Sequence, residues 1–349
     1  MNNTDGCRNA VELIVSILAL VDDQIDIVQE SLIGSILSNL LLVLGMSFFL
    51  GGVTRIRQHF NLTVAQTASS LLALAVGSLI IPAAFQAYAP EPSMFPPAPL
   101  AQCTNIFPAN SDRTGDVTAL SRGTAVILLL IYGAYLLFQL KTHIEIYNAP
   151  SKKVEKRSKL KAEGRLSAAM KDTGNTQADA PIPEIAGPLN MAPHVAEKGE
   201  HSISDKPEDD DPAETPELSK LTALATLVIS TALVALCAEG MVDSIDAITE
   251  GGGISRTFVG LILLPIVGNA AEHATAVTVA MKDKMDLSIG VAVGSSMQIA
   301  LLVIPLMVIL GWILGKEDMN LAFDTFQIIV LFVAILLVNY LIQDGESHW

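Results

Sequence analysis

The chain has 349 residues, of which 51% are hydrophobic, with a mean hydropathy of +0.48 and a formal net charge of −15. That balance excludes an ordinary soluble domain and points to a polytopic membrane protein, and with no basic patch interleaved with aromatics it also excludes nucleic acid as a partner. The three scattered cysteines, Cys7, Cys103 and Cys237, supply neither a disulfide framework nor a metal-ligand spacing.

Eight apolar segments follow one another along the chain. The first, 9–21, is too short to cross a bilayer alone, and it follows an N-terminus, MNNTDGCRN, that lacks a signal-peptide pattern. Segments 27–50, 64–86 and 122–140 come next, near the ~20 residues that a span requires. Beyond a long polar stretch lie 221–243, 256–281, 287–314 and 323–342. The expected fold is therefore an all-α polytopic membrane protein with about seven to eight transmembrane helices. Within the sixth segment, Pro265 and Gly268 predict a loosened helix with backbone carbonyls available to line a cavity.

Residues 9–51 and 269–311 align without a gap and share Asn9/Asn269, Glu12/Glu272, Asp23/Asp283, Asp26/Asp286, Gly34/Gly294, Ser35/Ser295 and Gly51/Gly311. From the first segment to the sixth is an odd number of crossings, so the two copies enter the membrane in opposite directions and form an inverted-topology pair. The loop residues Arg55 and Arg57, Lys282 and Lys284, and the basic run from Lys152 to Lys161 all fall on one side, which the positive-inside rule reads as cytosolic. The expected organisation is a first repeat half over 1–141, a cytosolic loop over 142–219 that turns from basic to acidic and is mostly disordered, and a second repeat half over 220–349. Glu208, Asp209, Asp210, Asp211 and Glu214 in that loop read either as a solvated linker or as a regulatory acidic element that attracts divalent cations.

Each copy carries a carboxylate three residues after an asparagine, Glu12 and Glu272. A charge inside an apolar segment costs roughly 2.5–3.5 kcal/mol on insertion scales, so its recurrence at a matched position marks a functional site. Twenty-three residues after each glutamate comes the serine of a Gly-Ser step, Ser35 or Ser295, and further oxygens follow at Ser38, Asn39, Ser296 and Gln298. An all-oxygen set of this kind suits Ca²⁺ better than Mg²⁺, leaves Mn²⁺ open, and offers no thiolate or histidine set for zinc or copper. Poorly hydrated neighbouring carboxylates hold protons readily, so H⁺ and the cation compete for one site and no resident cofactor is called for.

Blander roles stand beside these. A membrane glutamate can simply bond a neighbouring helix. His273 is either a packing histidine or a proton relay, and Glu239 either lines a cavity as a second relay or sits at the interface. Asp23, Asp26, Asp283 and Asp286 read as helix caps, and Asn339 as a helix-packing hydrogen bond.

The motifs NAVELI with SLIGSILSNLLLVLG, and GNAAEH with KDKMDL and GSSMQIAL, resemble the paired motifs of the vacuolar calcium/proton exchangers within the wider sodium/calcium exchanger superfamily. The closing NYLIQDGESHW resembles that family too. The resemblance covers nearly all of the chain outside the long loop. It implies antiport of cytosolic Ca²⁺ for vacuolar H⁺ by alternating access across the vacuolar membrane, without enzymatic chemistry. Glu12 and Glu272 would bind the ion, with Asn9, Ser35, Asn269, Ser295 and Gln298 near it, and an acidic central-loop segment is also a family feature. Two departures stand out: Arg8 occupies a position where the family has glycine, and further helices of the family lie before the first motif and after the DGES segment. The expectation is a chain truncated at both ends. Two alternatives remain open, an exchanger coupled to Na⁺ or K⁺, and a non-transporting paralogue or calcium-sensing partner.

Overall fold

A computed structural model describes residues 9–53, 55, 57–88, 113–143 and 220–348. Residues 1–155 and 230–349 form one compact unit, and the second unit, 156–229, enters the described residues only at the start of one helix. In hydrocarbon the backbone must satisfy its own hydrogen bonds, and the apolar segments accordingly fold as helices. These are α1 (Ala10–Val21), α2 (Ile25–Gly52), α3 (Leu62–Tyr88), α4 (Arg113–Leu137), α5 (Lys220–Gly252), α6 (Arg256–Gly268), α7 (Ala270–Met281), α8 (Met285–Ile313) and α9 (Thr325–Ile342). Six of them are long and apolar enough to cross a membrane, α6 and α7 together pass the same test as a pair bent by 52°, and α1 stays short.

The repeat is visible in the backbone. α1 and α7 begin and end at equivalent positions, and π-helical turns interrupt α2 at Ser38–Val43 and α8 at Ile299–Val303. Each short helix reverses into the next through an aspartate in the left-handed region, Asp23 at φ 63° and Asp283 at φ 65°. This corrects the expectation that these aspartates are caps. The cap positions belong to Gln24 and Lys284, neither of which makes a side-chain cap bond. Reversal within three residues requires a left-handed residue, and aspartate is among the few that tolerate it. Asp26 and Asp286 lie in the first turns of α2 and α8, where a negative charge suits the helix dipole. The Asp286 carboxylate also accepts a hydrogen bond from the Asn61 backbone N–H.

α2 and α8 form the centre of the unit, with 56% and 61% of their spanning windows buried, against 11% for α4 and 17% for α5 at the rim. α5 packs through Ala238, Val242 and Ile245, one face at helical spacing. α9 lies along α3, and Ser69 donates to Asn339 across that pair, the packing role expected of the asparagine. Strand β1 (Arg57–His59) pairs antiparallel with β2 (Glu346–His348), and His59 Nδ1 lies 3.1 Å from Glu346 Oε1.

Contacts between loops sort them into two faces. On one, Arg256 donates to Gln24 (2.9 Å) and Gln29 to the Asn320 carbonyl (3.1 Å), which gathers the α1/α2 turn, the start of α6 and the α8/α9 loop. On the other, Gln58 donates to the Ala280 carbonyl (3.2 Å) beside the Asn61–Asp286 bond, which gathers the α2/α3 loop and the α7/α8 turn. The 28 residues of α2 separate the two faces by ~42 Å at 1.5 Å per residue. The turns of the two repeats therefore lie on opposite faces, and the fold is a pair of inverted-topology repeats.

Candidate functional site

Glu12 and Glu272 occupy the third position of α1 and α7, and each is only 6% exposed. The asparagine before each helix stands at the cap position without capping it. Its amide reaches across to the other repeat instead. Asn9 donates to the Ser295 carbonyl (3.1 Å) and to Gln298 Oε1 (3.2 Å), and Asn269 donates to the Ser35 carbonyl (3.4 Å). The arrangement is reciprocal, with each motif asparagine gripping the serine carbonyl of the opposite copy. Ser295 adds a hydroxyl donation to Asn9 Oδ1 and accepts from Asn39 (3.3 Å). Ser35 and Ser295 lie near the middle of α2 and α8, so the cluster sits at mid-depth, as in secondary transporters built from inverted repeats.

Two features admit the glutamates to this centre. α6 and α7 meet at an angle of 52° after Gly268, and an added side chain there would contact Glu12 Oε1 at 3.9 Å. Pro265 has no N–H to offer the carbonyl of Leu261, the helix turns as a π-helix over Val259–Leu263, and Gly34 of α2 packs directly on that carbonyl. Beside Glu12 lies a cavity of about 20 Å³ lined by Ser16, Ser31, Ser35, Leu264 and Gly268, room for one water-sized particle.

The oxygens around it are short of donors. Neither Glu12 oxygen receives a hydrogen bond of normal geometry, and the buried Oδ1 atoms of Asn39 and Asn269 have none either. Glu12 and Glu272 are near enough for their charges to repel one another. Among the described residues no group of three or more His, Cys, Asp or Glu gathers, so a cation here draws on amide, hydroxyl and carbonyl oxygens besides carboxylates. Buried acceptors without donors are costly, and a hard cation or a proton would resolve them.

Asn9, Glu12, Ser35, Asn269, Glu272, Ser295 and Gln298 thus fall within one neighbourhood. His273 borders it, its Nε2 3.3 Å from the Ser38 hydroxyl. Glu239 is exposed on α5, off the face that carries Ala238, Val242 and Ile245. Arg8 and the acidic segment with Glu208, Asp209, Asp210, Asp211 and Glu214 lie outside the described residues. Ser16 and Ser31 line the cavity without having been singled out. Their signal was helical spacing, since Ser16 is four residues after Glu12 and Ser31 four before Ser35.

Comparison with known proteins follows the same lines. The sodium/calcium exchanger protein family matches residues 7–141 and 222–349. The chain is 41% identical, over all of its length, to the vacuolar calcium ion transporter of Cryptococcus neoformans, and 39% identical, over 98% of its length, to the protein of that name from Schizosaccharomyces pombe. It covers 60% and 65% of those two proteins, less than two thirds of either. Among solved structures it resembles the Ca²⁺/H⁺ antiporter protein YfkE, with a TM-score of 0.64 and 29% identity, over 99% of this chain and 78% of that one. The family match runs through both repeats and the fold is shared with a solved antiporter over nearly the whole chain; this chain belongs to the sodium/calcium exchanger family.

Proposed function

We propose that the chain carries the ion-translocating core of a Ca²⁺/H⁺ antiporter that moves Ca²⁺ from the cytosol into the vacuole. Glu12 and Glu272 take up Ca²⁺ or protons in alternation, and Asn9, Ser35, Asn269, Ser295 and Gln298 position the two glutamates and complete the oxygen shell. The observation that carries this reading is the set of buried acceptor oxygens without donors on Glu12, Asn39 and Asn269, with Glu12 and Glu272 both buried. Either a bound cation or a proton relieves that arrangement, and the two cannot occupy it together. His273, bonded to Ser38, is the proton relay on this reading, the face bearing Arg55, Lys282 and Lys284 is cytosolic, and the acidic segment from Glu208 to Glu214 is a regulatory element that attracts divalent cations.

The energetics suffice. Each pH unit supplies about 1.4 kcal/mol per proton, so two or three protons moving down one to two units supply roughly 3–8 kcal/mol to concentrate Ca²⁺. The test is uptake of radioactive Ca²⁺ by vesicles containing the full chain, driven by an inside-acid pH gradient. Uptake is expected to collapse with a protonophore, to be indifferent to Na⁺ and K⁺, to be slowed by competing Mn²⁺ if that ion shares the site, and to be abolished by Glu12→Gln and by Glu272→Gln. Undiminished uptake by Glu272→Gln would overturn the assignment, and Na⁺-driven uptake would transfer it to another coupling ion.

A further inference from the structure

The two repeats are joined a second time at the membrane faces. On one face Lys316 Nζ reaches Asp23 Oδ1 (2.7 Å) and the Val21 carbonyl (3.3 Å). On the other, Arg55 Nε lies 3.5 Å from Asp283 Oδ1 and Nη1 donates to the Met281 carbonyl (2.8 Å). Val21 and Met281 are equivalent repeat positions, the last residues of the two glutamate-bearing helices, and Asp23 and Asp283 are the two left-handed turn residues. Each cation stands just past the end of the helix that completes the site, α2 or α8. The cations themselves are not equivalent in the alignment, since Arg55 aligns with Gly315 and Lys316 with Ile56. Two unrelated side chains in the loops beyond the gapless repeat thus make the same pair of contacts on opposite faces.

We propose that Lys316–Asp23 and Arg55–Asp283 are opposed positioning latches that set the face to which the two-glutamate site opens. This rests on the alternating-access reading above. Opening toward one face requires a glutamate helix of one repeat to part from the site-completing helix of the other, and each latch spans that junction at one face only. Each acts on the site through a short lever. From Val21 back to Glu12 is nine residues of α1, ~13 Å of helix, and the same holds for Met281 and Glu272 in α7. Both latches are engaged in this structure, with room for only a water-sized particle beside Glu12. Partly exposed ion pairs add little to overall stability. The same small increment shifts a balanced two-state equilibrium when it exists in only one state.

The experiment uses the full chain with its cysteines replaced and a single cysteine at Ser16, in vesicles of known sidedness, labelled from either side by a small charged thiol reagent. Lys316→Gln is expected to raise the labelling rate from the Lys316 face relative to the other face by about 2- to 5-fold, the population change that ~0.4–1 kcal/mol produces. Arg55→Gln shifts the ratio by a similar factor in the opposite sense. Asp23→Asn, which keeps a residue tolerant of the left-handed turn, matches Lys316→Gln and serves if that variant fails to fold. The double variant of Lys316→Gln and Asp23→Asn is expected to be no stronger than Lys316→Gln alone, because both remove the Lys316–Asp23 contact. Ratios that move in one direction for both latches, that do not move, or that add in the double variant would overturn the proposal. Labelling does not depend on Ca²⁺ transport, so failure of the latches and failure of the antiport reading are read separately.

Discussion

Gly34 offers a sharp test of how α2 and α6 are held together. A Cβ at this position would lie 2.2 Å from the Leu261 carbonyl oxygen and 2.6 Å from Pro265 Cγ. Neither neighbour has a rotamer with which to yield, since one is backbone and the other a ring. A carbon–oxygen contact settles near 3.3–3.6 Å, so Gly34→Ala must drive the two helices apart by ~1 Å. Overpacking of this kind costs about 1–3 kcal/mol. The displacement falls next to the Asn269 bond to the Ser35 carbonyl, already long at 3.4 Å, and beside the Glu12 cavity that Ser35 and Gly268 line. Gly45, on the same helix, has nothing within 4 Å of an added Cβ, and alanine there removes a helix-propensity penalty of roughly 0.8–1 kcal/mol. The assay compares apparent melting temperatures of the detergent-solubilised parent and both variants, together with pH-gradient-driven Ca²⁺ uptake. Gly34→Ala is expected to melt lower and to lose most of its uptake, and Gly45→Ala to melt at or above the parent temperature with uptake intact. Equal behaviour of the two variants would refute the close approach of α2 to the Leu261 carbonyl.

Two further substitutions probe the cross-repeat bonds. Asn9→Ala strips partners from the Ser295 carbonyl, Gln298 and the Ser295 hydroxyl, each buried loss costing about 1–3 kcal/mol, whereas Asn269→Ala removes one long bond to Ser35. Uptake and melting temperature are therefore expected to fall further for Asn9→Ala, and equal losses would argue against this asymmetry. Ser69→Ala removes the α3–α9 bond to Asn339, worth about 0.6 kcal/mol on average between membrane helices. It should lower the melting temperature slightly and leave uptake unchanged; a large loss of uptake would place that pair in the transport cycle.

Much of this architecture was legible in the chain itself. Apolar length and charge are local properties, so the spans, the gapless repeat, its inversion and the paired glutamates appear in sequence order. The break after Gly268 was readable for the same reason, because Pro265 and Gly268 act on their own helix. The aspartates of the turns show the limit of local reading. Asp23 and Asp283 carry the composition of caps, yet the tight reversal needs left-handed residues and shifts the cap positions to Gln24 and Lys284.

Rotation about a helix axis was decided only by packing. It placed Ser16 and Ser31 beside Glu12 and left Glu239 outside the buried face of α5. The contacts that make the site, Asn9 to Ser295 and Asn269 to Ser35, join residues 286 and 234 positions apart. No periodicity within one helix can encode such a pairing. The sequence by itself determined which segments are apolar enough to cross, that the two copies are inverted relative to one another and which charges they carry; the tertiary structure decided which faces meet, because that depends on how the close-packed side chains of both repeats fit together.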